Sequence, residues 1–200
     1  VAGEVSLAAV SEALARRREA GAAAGGAAGS ADAVEDEPVD AVPEAPDPGR
    51  LVADADVLAA DLLVGGPARD ALDRLRAHSW TTLVASDALL ADAEAVVAAL
   101  AVPDPDLAAD WRARVAGWRE SVAHPSGDHP GLASAYRGGA MHLLSFDERL
   151  TSARAGAGIR GRVPLSVRRP DAFAAVFDAD SLYRTVVGGP YPGPDRDARE

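Results

Sequence analysis

The chain has 200 residues, 48% of them apolar and 4% aromatic, which suits one domain with a core of small aliphatic side chains plus a tail. It holds no cysteine and no lysine, which excludes disulfides, thiolate chemistry, a P-loop lysine, Schiff-base formation and a lysine general base. A net charge of −11 opposes nucleic-acid binding at low salt, and high ionic strength screens that repulsion.

The acid excess is uneven, with 10 acids and 4 arginines in residues 1–50 against 21 and 16 in residues 51–200. An Asp- and Ala-rich chain whose cations are all arginine points to a halophilic, salt-rich cytoplasm or to a GC-rich genome. No apolar run approaches the roughly 20 residues of a membrane span, and no basic segment followed by an apolar one opens the chain. A cytoplasmic location without membrane contact is the expectation.

Residues 1–19 form the first unit. Val5 to Arg18 reads as a short amphipathic helix with Leu7, Val10 and Leu14 on one face. Arg16, Arg17 and Arg18 read as its solvated end, favoured by the helix dipole. Residues 20–49 are Ala/Gly-rich, then acidic and proline-rich, and read as a disordered linker because they bury too little apolar surface to offset chain entropy. The first helix is therefore expected to be tethered, not packed.

The folded domain is expected over 50–187. Its first strand is Leu51–Ala55, followed by a helix at Val57–Val64 that stops at Gly65-Gly66, and Pro67 starts the next helix, to about His78. Trp80–Ala85 is the second strand, and Ser86 caps a helix to Leu100 with Asp87 in its first turn. A helix opening at Asp104 or Pro105 carries Leu107, Trp111, Val115, Trp118 and Val122 on one face, so both tryptophans read as core. Pro130–Arg137 is a short helix, Met141–Phe146 a strand, Glu148–Ala155 a helix and Arg162–Val167 a last strand, with a helix from Pro170. Residues 188–200 read as a disordered tail. Strands alternating with helices predict an α/β fold with a mostly parallel central sheet flanked by helices.

Asp54 ends the first strand in Asp54-Ala55-Asp56, a pattern shared by several phosphate enzymes. The haloacid-dehalogenase type and receiver domains both require a lysine that this chain lacks. A toprim-like or phosphatase-like Asp-x-Asp site stays open as a third reading, although a toprim-like site needs a glutamate on an earlier strand and only a helix and the linker precede Asp54.

Four motifs in order carry a closer resemblance. They are Leu51–Leu58, with Asp54 at the strand end; Leu83-Val84-Ala85-Ser86 with Asp92 six residues on; Asp128-His129-Pro130-Gly131-Leu132-Ala133-Ser134-Ala135; and Leu143-Leu144-Ser145-Phe146-Asp147-Glu148-Arg149-Leu150. A Pro-Asp-Ala-Phe helix start follows at Pro170–Phe173. From Arg50 to about Val176 the chain resembles a PIN domain, a three-layer fold found in toxin ribonucleases and rRNA-processing endonucleases. The resemblance implies Mg²⁺ or Mn²⁺ held by Asp54, Asp92, Asp128 and Asp147, with Ser145 orienting Asp147 and Asp56 in support. Asp92 and Glu94 lie on opposite flanks of the apolar stripe of their helix, and the resemblance selects Asp92.

The implied activity is hydrolysis of RNA phosphodiesters by a metal-activated water. The implied partners are single-stranded RNA, an antitoxin if the protein is the toxin of a toxin–antitoxin pair, and a second copy in a homodimer. Four adjacent carboxylates also imply at least one raised pKa without metal. Arg112 and Arg119 share a helix flank and, with Arg137, Arg149, Arg168 and Arg169, are candidate phosphate contacts. His124 and His129 flank Asp128 and read as exposed, with a histidine metal site as the alternative; His78 and His142 read as structural. Ala55 stands where the family has Thr or Ser, and Asp92 where it has Glu. Those departures favour a second hypothesis, a PIN-like scaffold that binds protein or RNA without cutting.

Overall fold

The computed structural model describes residues 5–27, 43–101, 104, 106–125, 127–160 and 163–199. The core of the predicted linker, residues 28–42, lies outside the described residues, as does Arg162 at the start of the last expected strand.

The fold is α/β, as expected. Five strands, β1 (Asp47–Ala53), β2 (Thr82–Ser86), β3 (Arg119–Val122), β4 (Ala140–Leu144) and β5 (Ser166–Arg168), form one sheet in the order β3-β2-β1-β4-β5. All four pairings are parallel. The central strand β1 carries a continuous apolar run, Leu51-Val52-Ala53, because helices cover both of its faces. Leu83 and Val84 of β2 and Leu143 and Leu144 of β4 are equally buried.

Ten helices are described: α1 (Leu7–Ala27), α2 (Ala55–Leu63), α3 (Gly66–Arg76), α4 (Asp87–Leu100), α5 (Leu107–Trp118), α6 (Pro130–Arg137), α7 (Glu148–Thr151), α8 (Ala153–Arg160), α9 (Pro170–Val176) and α10 (Ala179–Val186). Pro67, Pro130 and Pro170 sit in first turns, where a missing N–H costs nothing. Ser86 caps α4, its Oγ accepting from Leu89 N–H at 3.2 Å. Gly139, at φ 61°, makes the turn from α6 into β4 directly against the Ala45 carbonyl. Among the described residues no helix is long and apolar enough to cross a membrane.

Four expectations are corrected. The first helix is packed: Val10, Ala13 and Leu14 are buried, and α1 lies on α4 and α2. It also runs on to Ala27, into the segment assigned to the linker. Residues 43–49 are likewise ordered, with Glu44 N–H bonded to Arg137 O at 3.0 Å and β1 beginning at Asp47.

The helix expected to continue through Val122 stops at Trp118. Residues 119–122 instead form β3, because β2 has an open edge whose backbone groups need partners. Finally, the segment after Gly188 is docked. Tyr191 Oη donates to His78 Nε2 at 2.6 Å, the N–H groups of Asp195 and Arg196 both reach Ala77 O, and Arg199 pairs with the buried Asp61 at 3.1 Å. Side-chain and cap bonds order this Gly/Pro segment without regular structure. Asp61 is also held by Arg69 and Arg76.

Candidate active site at the β1–β4 crevice

The chain leaves β1 toward β2 and β3 on one side of the sheet and later returns to build β4 and β5 on the other. Where strand order reverses, the helices leaving adjacent strands diverge and open a crevice at the carboxyl ends. Here that switch point lies between β1 and β4.

Asp54 directly follows β1, caps α2 and is fully buried. Its N–H donates to Leu144 O at 2.8 Å, and its Oδ1 accepts from Ala55 N–H at 2.9 Å. Ser145 directly follows β4. Its single hydroxyl proton lies within reach of Asp54 Oδ2 at 3.1 Å and Asp56 Oδ2 at 3.3 Å, while its Oγ accepts the Asp147 N–H at 3.0 Å. Ser145 thus ties the two strand ends together, and acts on Asp147 through the backbone and not through the carboxylate.

Asp56 lies in the first turn of α2, 3% exposed, with Oδ2 accepting from Phe146 N–H at 2.9 Å. Its Oδ1 is buried without a hydrogen-bond partner. Burial first, and the Asp54 charge second, push its pKa up to about 7. One carboxyl at the site is therefore raised, that of Asp56, by its burial more than by the neighbouring acid.

The crevice already holds a cation. Arg18, from α1, places one guanidinium nitrogen 2.9 Å from Asp54 Oδ1 and Nε 3.5 Å from Asp92 Oδ2, with Arg17 Nε 3.3 Å from Asp92 Oδ1. Asp92 therefore faces the crevice, while Glu94 turns away to Arg112 at 2.9 Å. The arginine triplet is not simply a solvated helix end. Val10, Ala13, Leu14, Arg17 and Arg18 follow the i, i+3, i+4, i+7, i+8 pattern of a single helix face, so the side that buries Leu14 also carries Arg17 and Arg18 inward.

The remaining predicted residues divide. Asp147 caps α7, and its carboxylate is gripped by Arg149 at 2.7 Å; that bond holds its pKa below the usual range. Asp128 is exposed in the loop before α6, and among the described residues it belongs to no group of three acids or imidazoles that could hold a metal. Its neighbour His129 enters in its place, with Nε2 3.8 Å from Asp54 Oδ2. His129 Nδ1 accepts from Leu132 N–H at 3.5 Å, which leaves the neutral ring's proton on Nε2, facing the carboxylate. Burial lowers the His129 pKa, against the pull of Asp54. Gly131 permits this approach, since a Cβ there would stand 3.2 Å from Asp54 Oδ1.

Four of the candidate phosphate-binding arginines are committed to acids: Arg112 to Glu94, Arg119 to Asp87 at 2.5 Å, Arg149 to Asp147 and Arg169 to Asp171 at 3.2 Å. Arg137 is half-buried in the last turn of α6. Trp111 is core, as expected, and Trp118 lies under Arg76 at 4.5 Å.

Among the described residues no three acids or imidazoles stand together as a ready-made metal cage. The donors nonetheless fit a hard divalent cation. Mg²⁺ keeps several waters and is bound through one or two carboxylates, and Asp54 and Asp92 already converge on one positive group. Asp56 adds a third carboxyl, its buried Oδ1 unpartnered, which can serve a cation once it ionises.

No curated protein and no solved structure matches the chain. Residues 45–199, which include every acid of the crevice, match a model described as a family of unknown function, DUF7384.

Proposed function

We propose that this chain, which belongs to the DUF7384 family, is a metal-dependent endoribonuclease of PIN type acting on single-stranded RNA. The observation that carries the reading is the convergence of Asp54, Asp56, Asp92 and Ser145 on a cation-holding crevice at the β1–β4 switch point.

Asp54 and Asp92 are the residues that would hold Mg²⁺ or Mn²⁺. The ion, when bound, supplies an activated water and a countercharge for the leaving oxygen. Ser145 and the Ala55 N–H fix the Asp54 carboxylate from opposite oxygens, so it is oriented before any ligand arrives. Asp147 stands at the rim, available once Arg149 turns to a phosphate. His129 offers an Nε2–H donor next to Asp54.

The test is cleavage of a mixed single-stranded RNA in Mn²⁺ and high salt by the wild type, Asp54→Asn and Asp147→Asn. Cleavage by the wild type that is lost in Asp54→Asn supports the reading. Equal cleavage by all three proteins points to another site or a contaminant and removes it. A second reading, a PIN-like scaffold that binds protein or RNA without cutting, is favoured by the countercharges already in place, Arg18 on Asp54 and Arg149 on Asp147. Absence of cleavage in every condition, by the wild type and by Arg18→Gln alike, selects the scaffold.

A further inference from the structure

The position that a divalent cation would take is filled from within the chain. Arg18 is 22% exposed and reaches a carboxylate that is fully buried, so solvent screens the pair little. It also bridges, since the same guanidinium touches Asp92 on α4. Neither contact is incidental to α1. The apolar side chains Val10, Ala13 and Leu14 dock the helix, and Arg17 and Arg18 lie in the next turn along the same stripe. Arginine keeps its charge at any working pH, so the plug has no protonation state that releases it.

We infer that α1 is a removable cover and that Arg18 and a divalent cation compete for Asp54 and Asp92. The inference rests on the metal site proposed above. Two positive groups cannot share Asp54 Oδ1 without strong repulsion in a buried setting. Cation loading and α1 docking are thus two ends of one equilibrium. By reciprocity, the factor by which the docked helix weakens metal binding is the factor by which metal weakens docking. The closed state described here is the one in which α1 wins. The open state presents the acids at the crevice to solvent, RNA and metal together.

The experiment measures Mn²⁺ binding to the full chain, from the loss of the free-ion resonance signal, for the wild type, Arg17→Gln, Arg18→Gln and Arg18→Gln combined with Asp54→Asn. Amide exchange of residues 7–23 is followed in the wild type with and without saturating Mn²⁺. Arg18→Gln is expected to bind Mn²⁺ about tenfold more tightly than the wild type, within the span of ordinary coupling factors. Arg17→Gln, which touches only Asp92, should gain less, and the Asp54→Asn combination should lose the gain. Mn²⁺ should also speed exchange in α1 of the unmutated protein, a readout that needs no variant to fold.

Equal Mn²⁺ affinity in wild type and Arg18→Gln, with α1 exchange unchanged, overturns the competition and leaves the metal site standing. Weaker binding in Arg18→Gln makes Arg18 a support for the site and overturns the inference too. No Mn²⁺ binding by any protein removes the metal site itself, and the inference with it.

Discussion

Asp56 couples the stability of this fold to pH in a direction opposite to that of an ordinary ion-paired carboxylate. In the folded chain it keeps its proton up to about pH 7, against 3.8 for an ordinary aspartate. Between those values the folded state binds a proton that the unfolded state has released, so stability falls as pH rises and the loss is complete once pH passes about 7. The full interval corresponds to roughly 4 kcal/mol, of which the part above pH 5 is about 3 kcal/mol. The Phe146 and Val57 N–H groups and Arg18 work against the rise, and burial with the Asp54 charge outweighs them. Asparagine cannot ionise, and its Oδ1 can accept the Phe146 N–H in the same place. Urea unfolding of the wild type and Asp56→Asn, without divalent metal, at pH 5 and pH 8.5 isolates the effect. The variant's stability relative to wild type should improve by about 3 kcal/mol between the two pH values, whatever the absolute cost of the amide. Parallel pH profiles for the two proteins would show Asp56 ionised throughout and refute the reasoning.

Two further substitutions probe the fold. Leu14→Ala removes a buried side chain from the α1 interface and should cost about 2–4 kcal/mol in urea unfolding, where a tethered helix would show less than about 0.5 kcal/mol. Gly139→Ala forces a Cβ onto the Ala45 carbonyl at a positive φ and should destabilise by at least about 2 kcal/mol; a thermal midpoint within a degree of wild type would mean that the turn is not closed on residue 45.

The parallel α/β architecture was legible because its signals are local. Short apolar runs at 51–53, 82–85 and 141–144 and helix starts at Ser86, Pro130 and Pro170 each announce an element by chemistry within a few residues. β3 was not legible, because Val122 keeps helical spacing with Trp118 and only the open edge of β2 decides between the two states. The docked segment after Gly188 was missed for a similar reason: Tyr191 and Arg199 gain their partners, His78 and Asp61, from far away in sequence. At the site, Asp54 and Ser145 stand at strand ends where periodicity could find them. The choice of Asp92 over Glu94 needed the family resemblance, since both flank the apolar stripe. Asp128 against His129 turned on the loop's path into α6, which a spacing rule does not carry. Arg18 was visible in principle, as a charge on the same face as Val10 and Leu14, but a basic triplet at a helix end reads more naturally as a solvated terminus.

The strand order also bears on how the protein is made. Of the five strands β1 is synthesised before the others, and it occupies the middle of the sheet; β2 closes one flank early, but β4 begins only at Ala140, long after β1 ends at Ala53. Such distant pairing is slow, because loop closure must be accomplished before the contacts reward it. A growing polypeptide therefore carries a strand with one bare edge, an aggregation hazard that lasts until residues 140–144 arrive. Through that interval Asp54 lacks the Ser145 hydroxyl, whereas Arg18 has already been synthesised. The earliest companion available to this acid is the nearby guanidinium, so its charge can be neutralised before β4 arrives.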